Sequence, residues 1–162
     1  MNNKVLIAFA TKCGATEDTA QQIANTLRNK YALEVDTVNL HKEARPNFAQ
    51  YGTLIVGSGI RMKKWYKEAL KFLENDFKGK NVALFACSMY EGGKPETYPA
   101  ALERLPKVAE EHLNVEPFAM EVFGGRMRFA GRVTADNIDT NKINTWAESL
   151  GEKISSQQLK CA

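Results

Sequence analysis

The residue types best suited to chemistry stand together near the N-terminus, in the stretch Thr11-Lys12-Cys13-Gly14-Ala15-Thr16-Glu17. This stretch follows an apolar run, Lys4–Ala10, and precedes apolar residues at helical spacing, which predicts a junction between a buried strand and a helix. Unpaired backbone N–H groups and the positive end of the helix dipole meet at such a junction and favour a phosphate. Thr11 and Thr16 add hydroxyl donors, and Gly14 allows a turn that a side chain would hinder. The sequence therefore predicts a phosphate-binding loop.

Spacing separates this loop from other kinds of phosphate site. The nucleoside-triphosphatase pattern Gly-x-x-x-x-Gly-Lys-Ser/Thr does not occur in the chain. A dinucleotide fingerprint begins at Gly57 but has Met62 where its third glycine belongs. A thiol phosphatase needs an arginine six residues after a cysteine, and Thr19 and Gly93 occupy those places. What remains is a loop of hydroxyls, small residues and backbone amides with little positive charge nearby, which suits a monophosphate.

The elements that must position this loop alternate between strand and helix along the 162 residues. Apolar and alternating patterns predict strands at 4–10, 33–38, 53–57, 81–87 and 118–123. Helical spacing predicts helices at 16–30, 66–77, around 102–109 and around 143–154. Residues 41–50 form a connection or an irregular helix, Pro106 predicts a kink or a break, and the tail after Ser155 is expected to fray. This alternation predicts one domain, with right-handed crossovers and a parallel sheet covered by helices on both faces.

Four loops are predicted to meet at one edge of this sheet, because ligands of parallel sheets bind beyond the carboxyl ends of the strands. The loops begin at Thr11, Ser58, Ser88 and Gly124. The second covers 58–65, the third 88–97, and the fourth, which is basic, 126–133. The candidate site therefore lies at this edge.

Composition and charge narrow the class of protein. Hydrophobic residues make up 44% of the chain and charged residues 25%, as in an ordinary soluble globular protein. The formal net charge of +3 is spread along the chain, which does not indicate nucleic-acid binding. Three widely spaced cysteines, and two histidines outside any recognised motif, predict no disulfide framework, metal site or catalytic side chain. The first apolar run is too short to span a membrane and lacks a cleavage site, so we expect a cytoplasmic protein without a transmembrane segment.

The pattern Thr-x-x-Gly-x-Thr-Glu after the first strand resembles the FMN-phosphate loop of flavodoxins. Strand number, loop positions and length extend this likeness over nearly the whole chain. The resemblance implies a flavodoxin-like α/β fold, a three-layer sandwich whose five-stranded parallel sheet has the order 2-1-3-4-5. It also implies noncovalently bound FMN, with its phosphate on Thr11–Thr16 and its isoalloxazine ring between the loops 58–65 and 87–92.

The cofactor-binding residues that the resemblance implies are Thr11, Lys12, Cys13, Gly14, Ala15, Thr16, Ser58, Gly59, Ile60, Arg61, Met62, Trp65, Cys87, Ser88, Met89, Tyr90 and Gly92. Ser58, Gly59 and Ser88 are expected to offer polar contacts to the ring or the ribityl chain. Two assignments stay open: Trp65 and Tyr90 either stack on the flavin or pack within the protein, and the methionines either contact the ring or fill space. The cysteine of the phosphate loop is expected to offer its backbone amide rather than a reactive thiol.

Basic residues surround the expected flavin, whereas carrier flavodoxins resemble one another in being strongly acidic. The cations in these loops are Arg61, Lys63, Lys64, Lys94, Arg126, Arg128 and Arg132. At an effective dielectric of about 20, one charge about 8 Å away would stabilise the reduced, anionic flavin by roughly 2 kcal/mol before salt screening. The charge pattern therefore predicts a higher reduction potential than that of an acidic carrier. It favours a flavoprotein that accepts electrons from a substrate or docks on an acidic partner.

A second resemblance concerns the third and fifth strands. The segment 51–61 with Trp65, and the ending Phe123-Gly124-Gly125-Arg126, look like flavodoxin-like menaquinone-dependent protoporphyrinogen dehydrogenases. Those enzymes carry a longer insertion near the fifth strand, where this chain has only 126–133. Three functions stay open: an FMN-binding electron-transfer protein, a quinone- or porphyrinogen-linked FMN dehydrogenase, and an interaction module that has lost FMN. For the first two, the partner is a redox protein or a small electron donor or acceptor, and the flavin carries the chemistry.

Overall fold

The computed structural model describes residues 4–89 and 94–161. Its strands are β1 (Lys4–Ala10), β2 (Glu34–Asn39), β3 (Thr53–Arg61), β4 (Lys64–Trp65), β5 (Asn81–Ser88), β6 (Ala119–Gly124), β7 (Arg126–Phe129) and β8 (Arg132–Asp136). Its helices are α1 (Ala15–Tyr31), α2 (Lys67–Leu73), α3 (Tyr98–His112) and α4 (Thr140–Cys161), with a short 3-10 turn at Pro95–Thr97 before α3.

The long strands form one sheet in the order β2-β1-β3-β5-β6, and each neighbouring pair in it is parallel. Counted among themselves, these parallel strands have the order 2-1-3-4-5, so the predicted fold is confirmed. The short strand β4 pairs antiparallel with the end of β3, and β7 pairs antiparallel with β8 outside the sheet. Phe9 of β1 lies opposite Gly57 of β3, and Ala10 lies opposite Ser58, so β1 ends beside β3 at the edge where the loops meet.

Helices cover both faces of the sheet because each strand sends alternate apolar side chains into one of two cores. On one face, Phe85 of β5 shares a core with apolar residues of α1 and α4, among them Ile23. On the other face, Leu84 shares a core with α2 and α3, among them Phe72 and Leu105. The loop edge is therefore carried by a sheet packed on both sides, which confirms the three-layer architecture.

The segment 58–65 is a β-hairpin, so its prediction as a loop is wrong. β3 continues to Arg61 and returns as β4 through a turn at Met62 and Lys63, whose φ angles are 52° and 65°. Asn-Gly or Asp-Gly is the usual signal for a two-residue turn with positive φ at both positions. This turn has neither, and each left-handed residue with a side chain costs about 1 kcal/mol. The sequence therefore contains no recognisable signal for this turn.

The basic segment 126–133 is also a hairpin rather than a loop. β7 returns as β8 through Ala130 and Gly131, with φ angles of 50° and 78°. A glycine in the turn is one part of the usual signal, but the alanine before it is not. The two hairpins extend β3 and β6 past the carboxyl edge of the sheet and so border the candidate site.

Helix α3 runs through Pro106 without a break, so the predicted break is wrong. Its residues Ala101, Leu105 and Ala109 are buried against the sheet. This packing outweighs the helical hydrogen bond that a proline removes.

One connection and the C-terminal helix complete the chain. Residues 41–50 form turns and extended chain without a helix, which confirms the alternative of a connection. The backbone of α4 is helical as far as Cys161, past residue 155. Across the ranges 4–89 and 94–161, no helix combines the length and the apolar character that crossing a membrane requires.

Candidate cofactor-binding cleft

A cleft of about 510 Å³ opens at the carboxyl edge of the sheet, within the size range of small-molecule sites. Its walls come from the β1–α1 loop, from the β3–β4 hairpin and the residue after it, and from the residues around the ends of β5 and β6. The predicted site residues that line it are Thr11, Lys12, Cys13, Ala15, Thr16, Gly59, Ile60, Arg61, Met62, Cys87 and Met89. The fold therefore brings the predicted loops together around one cleft.

The β1–α1 loop has the backbone geometry of an anion site. Gly14 takes a left-handed conformation, with φ of 86°, and its N–H donates to Thr11 Oγ1 at 3.0 Å. This turn starts α1 at Ala15, so the N–H groups of the first helical turn have no acceptor within the helix. Ala15 and Thr16 of that turn line the cleft, whereas Gly14 shapes the turn beside it.

Two arginines of β7 lie against this loop. Arg128 Nε donates to the Cys13 carbonyl oxygen at 3.2 Å, and Arg126 Nη1 donates to the same oxygen at 3.5 Å. Arg126 also pairs with Asp18 through Nη2 at 2.7 Å and with Asp136 through Nε at 3.1 Å. The hydrogen bond to Asp18 raises the pKa of Arg126, so its guanidinium stays charged. The expectation of little positive charge near the phosphate loop is therefore wrong, because these cations come from a distant part of the chain.

Two predicted residues of the hairpin lie beside the cleft rather than in its wall. Ser58 is buried, and its Oγ accepts from the Tyr66 N–H at 3.0 Å and donates to the Gly59 carbonyl oxygen at 2.8 Å. These bonds fix the hairpin against the start of α2. Trp65 is buried in the core on the α2 face, so of its two alternatives the structure supports packing within the protein.

Ser88 also lies outside the cleft wall. Its backbone supports that wall through a hydrogen bond. Its carbonyl oxygen accepts from the Gly125 N–H at 2.8 Å, and the Gly125 carbonyl oxygen accepts from the Asn137 N–H at 2.9 Å. These bonds tie the end of β5 to the segments after β6 and β8. The remaining predicted residues, Tyr90 and Gly92, lie outside the described part of the chain.

The cleft also has lining residues that the prediction lacks: Tyr66, Gly125, Arg126, Met127 and Arg128. Helical spacing predicts that Tyr66 lies on the core face of α2. In the structure, its ring lies beside the phosphate loop instead, with the ring centroid 5.1 Å from Lys12 Nζ. Burial raises the pKa of the Tyr66 hydroxyl. For the others the sequence carries a usable signal, a glycine pair at a strand end followed by Arg-x-Arg.

The flavodoxin domain family matches residues 6–149, which is most of the chain. This chain belongs to the flavodoxin domain family. Membership confirms the class of function and the cofactor that the first resemblance implied, an FMN-binding protein of electron transfer.

Solved flavodoxins share the fold of this flavodoxin-domain chain at low sequence identity. Flavodoxin 2 from Bacillus cereus matches with a TM-score of 0.64 and 22% identity, over 93% of this chain and 99% of that chain. A flavodoxin from Fusobacterium nucleatum, solved bound to flavin mononucleotide, matches with a TM-score of 0.58 and 16% identity, over 93% of this chain and 95% of that chain. At such identities, these two structures bear on the fold alone.

A further relative is an enzyme. Protoporphyrinogen IX dehydrogenase (quinone) from Escherichia coli strain K12 is 27% identical over 71 residues. The match spans 44% of this chain and 39% of the relative, so it covers less than half of either protein. The activity of that enzyme is therefore a hypothesis for this flavodoxin-domain protein.

The residues of the cleft fit FMN in size and chemistry. The start of α1, the threonine hydroxyls and the two arginines suit a phosphate. Gly59 leaves room that a side chain would fill, because a Cβ there would lie 2.9 Å from the Tyr66 ring and 3.5 Å from Thr16 Oγ1. Ile60, Met62 and Met127 add apolar wall suited to a flat ring.

Two cysteines line the cleft in different environments. Cys87 is buried, its Sγ donates to Thr19 Oγ1 at 3.5 Å, and burial raises the pKa of its thiol to about 11. Cys13 is half-buried in the phosphate loop. Since the thiolate is the reactive form, Cys87 is protected by both its pKa and its burial.

In a Cys161→Ser background, iodoacetamide is therefore expected to label Cys13 and to leave Cys87 unlabelled in the folded protein. FMN is expected to slow the labelling of Cys13, because the cofactor would cover the phosphate loop. Peptide mass mapping after labelling and unfolding measures both sites. Labelling of Cys87 ahead of Cys13 would contradict the placement of the two thiols.

Proposed function

We propose that this flavodoxin-domain protein holds FMN in the 510 Å³ cleft, with the phosphate at Thr11–Thr16 and the ring beside the β3–β4 hairpin. One observation carries the proposal: an anion-binding helix start, two arginines and a partly apolar hairpin share a single cleft. FMN, when bound, supplies the redox chemistry. The side chains bind and orient it and set the charge around it.

The phosphate is assigned to the loop because three kinds of donor converge there. The first-turn N–H groups of α1 have no helical acceptor, Thr11 and Thr16 carry hydroxyls, and Arg126 and Arg128 contact the loop backbone. The loop backbone is held in shape by the Gly14 turn and by these arginines before any ligand arrives. Such preorganisation lowers the entropy cost of binding.

The charges on the two hairpins favour the reduced, anionic form of the flavin, but less strongly than their number implies. Arg126 is largely neutralised by Asp18 and Asp136. Arg61, Lys63 and Lys64 are exposed, so solvent and salt weaken their effect to about 0.5 kcal/mol each. The expected potential therefore lies above that of an acidic carrier by tens of millivolts.

The test is reconstitution of the purified chain with FMN, followed by a spectroelectrochemical titration. We expect a yellow protein with one FMN per chain and a midpoint above that of an acidic flavodoxin measured alongside. Lys63→Gln/Lys64→Gln is expected to lower the midpoint of the one-electron couple that ends in the anionic hydroquinone by about 20 mV per charge. Lys107→Gln/Lys153→Gln, on helices away from the cleft, is the matched control. A colourless protein that takes up no FMN would contradict the proposal.

A second candidate function is oxidation of a porphyrinogen with a quinone as acceptor. The match to protoporphyrinogen IX dehydrogenase (quinone) and the exposed cations around the cleft favour it, because carboxylate substituents of a substrate would find basic partners there. Anaerobic assay of the FMN-loaded protein with protoporphyrinogen and a menaquinone analogue tests it. A rate no higher than that of free FMN would rule out this activity and leave electron transfer to a protein partner.

The proposed location is the cytoplasm. Wide cysteine spacing without a disulfide framework supports a reducing compartment. Export of a reporter fused to the C-terminus would contradict it.

A further inference from the structure

Large apolar side chains are exposed on the two hairpins that border the cleft. In the part of the chain that the structure describes, the exposed large hydrophobic residues are Met62, Met127, Phe129 and Val133. Met62 sits in the β3–β4 turn with 86% of its surface exposed, and Phe129 sits next to the β7–β8 turn with 77% exposed. Met62 and Met127 both line the cleft, so the two hairpins stand on either side of one opening.

The β3–β4 turn is not optimised for folding. Met62 and Lys63 both have positive φ, a conformation that asparagine or glycine adopts more easily. Met62 is also too exposed for its side chain to stabilise the fold by packing. Backbone strain retained at an exposed apolar residue points to a contact outside the chain.

The same segments are strongly basic. Residues 61–67 and 126–136 hold seven basic residues and one acidic residue, Asp136, which pairs with Arg126. Since the whole chain has a net charge of +3, the remainder of the chain has a net charge of −3. Arg126 is paired within the protein, whereas Arg61, Lys63, Lys64, Arg128 and Arg132 are exposed.

We propose that the two hairpins dock the mouth of the cleft on an anionic lipid bilayer, with Met62 and Phe129 entering the interface and the exposed lysines and arginines meeting lipid phosphates. Apolar residues beside basic ones are the combination that holds peripheral proteins on such surfaces. This docking is separate from FMN binding and does not depend on it.

The shape of the surface favours a bilayer over a protein partner. Met62 and Phe129 project at turns, and a convex tip needs a matching pocket on a folded partner but none in a soft interface. Lysine and arginine beside them can bury their alkyl stems while their charges stay at the lipid phosphates. An acidic protein would satisfy the charges but would leave these apolar tips in water.

Co-sedimentation with vesicles tests the proposal on the full chain. Vesicles of equal parts phosphatidylcholine and phosphatidylglycerol are expected to bind the protein at least tenfold more strongly than phosphatidylcholine alone. Met62→Ser/Phe129→Ser is expected to lower this binding about tenfold or more, since two apolar side chains no longer enter the interface. Lys63→Gln/Lys64→Gln is expected to lower it about fivefold per charge.

The control Lys107→Gln/Lys153→Gln changes the net charge equally, away from the hairpins, and is expected to bind within about twofold of the unmodified protein. In Phe129→Trp, the new tryptophan emission is expected to shift to the blue on addition of anionic vesicles. The unfolding midpoint of each variant checks that the fold is retained.

Three results would overturn the proposal. The first is failure of the unmodified protein to sediment with anionic vesicles, which would leave an acidic protein as the partner of this surface. The second is undiminished binding of Met62→Ser/Phe129→Ser, because docking would then involve no insertion. The third is an equal loss in the Lys107→Gln/Lys153→Gln control, because attraction would then come from the whole molecule.

Discussion

Gly59→Val is expected to weaken FMN binding about 100-fold while leaving the chain folded. Gly59 lies in β3 and lines the cleft. A Cβ at this position would lie 2.9 Å from Tyr66 Cε2 and 3.5 Å from Thr16 Oγ1, so the valine side chain would take up space between the hairpin and the phosphate loop. FMN could enter only by displacing this side chain, and if that costs as much as overpacking, about 1–3 kcal/mol, the upper part of the range corresponds to a hundredfold change in affinity.

Titration of the chain against FMN fluorescence measures this effect, and near-ultraviolet circular dichroism monitors the fold. Gly79→Ala is the control for a glycine substitution away from the cleft, because a Cβ at Gly79 would have no heavy atom within 4 Å, although the φ of Gly79 is positive, at 83°, and that of Gly59 is not. The control is expected to lose about 1 kcal/mol of stability and to bind FMN normally. Unchanged FMN affinity in Gly59→Val would place the cofactor outside this cleft.

The hairpin explains why the sequence predicts the phosphate loop better than the ring site. The loop depends on local order, a strand, a glycine turn and a helix start, and residues 4–31 contain all of it. The ring site depends on where β3 stops. Ending the strand at Gly57 discards the alternation that continues to Arg61, in which Ser58 and Gly59 face opposite sides of the sheet.

This alternation separates the residues of the hairpin by function. Leu54 and Val56 belong to the core on the α2 face, and Ser58, two residues further on, is buried and binds the backbone at the start of α2. Ile55 belongs to the core on the α1 face. Gly59 is four residues further along the strand, so it faces the same side and lies in the cleft beside Thr16. If the strand had been predicted to continue to Arg61, Ser58 would have been predicted to support the cleft wall rather than to contact the cofactor.

The contact of the two arginines with the phosphate loop was beyond local prediction for a different reason. Arg126 and Arg128 reach Cys13 across 113 and 115 residues of chain, and no short-range pattern reports such a contact. Their charge was visible in the sequence, but their position over the phosphate loop depends on the β7–β8 hairpin, whose turn carries an incomplete signal.

Arg126→Gln is expected to weaken FMN binding about 30-fold and riboflavin binding much less. The guanidinium pairs with Asp18 at 2.7 Å and with Asp136 at 3.1 Å, and it donates to the Cys13 carbonyl oxygen. Glutamine removes the cation and leaves two carboxylates uncompensated near the phosphate loop. A phosphate would then lose an attraction and meet repulsion, together worth about 2 kcal/mol at this partly buried site. Riboflavin has the same ring but no phosphate, so most of this loss does not apply to it.

Paired titrations with FMN and riboflavin, at low and high salt, separate the electrostatic role of Arg126 from a structural one. Arg132→Gln removes a charge from the same hairpin at an exposed position outside the cleft wall and is expected to change FMN affinity less than threefold. Arg126→Lys keeps the charge but loses the two-sided fork that bridges both aspartates, so its affinity is expected to lie between those of the unmodified protein and Arg126→Gln. Equal loss of FMN and riboflavin affinity in Arg126→Gln would mean that the arginine only holds the hairpin in place. A loss confined to FMN, and reduced at high salt, would show that Arg126 acts on the phosphate through charge, both as a cation and as the partner of the two carboxylates.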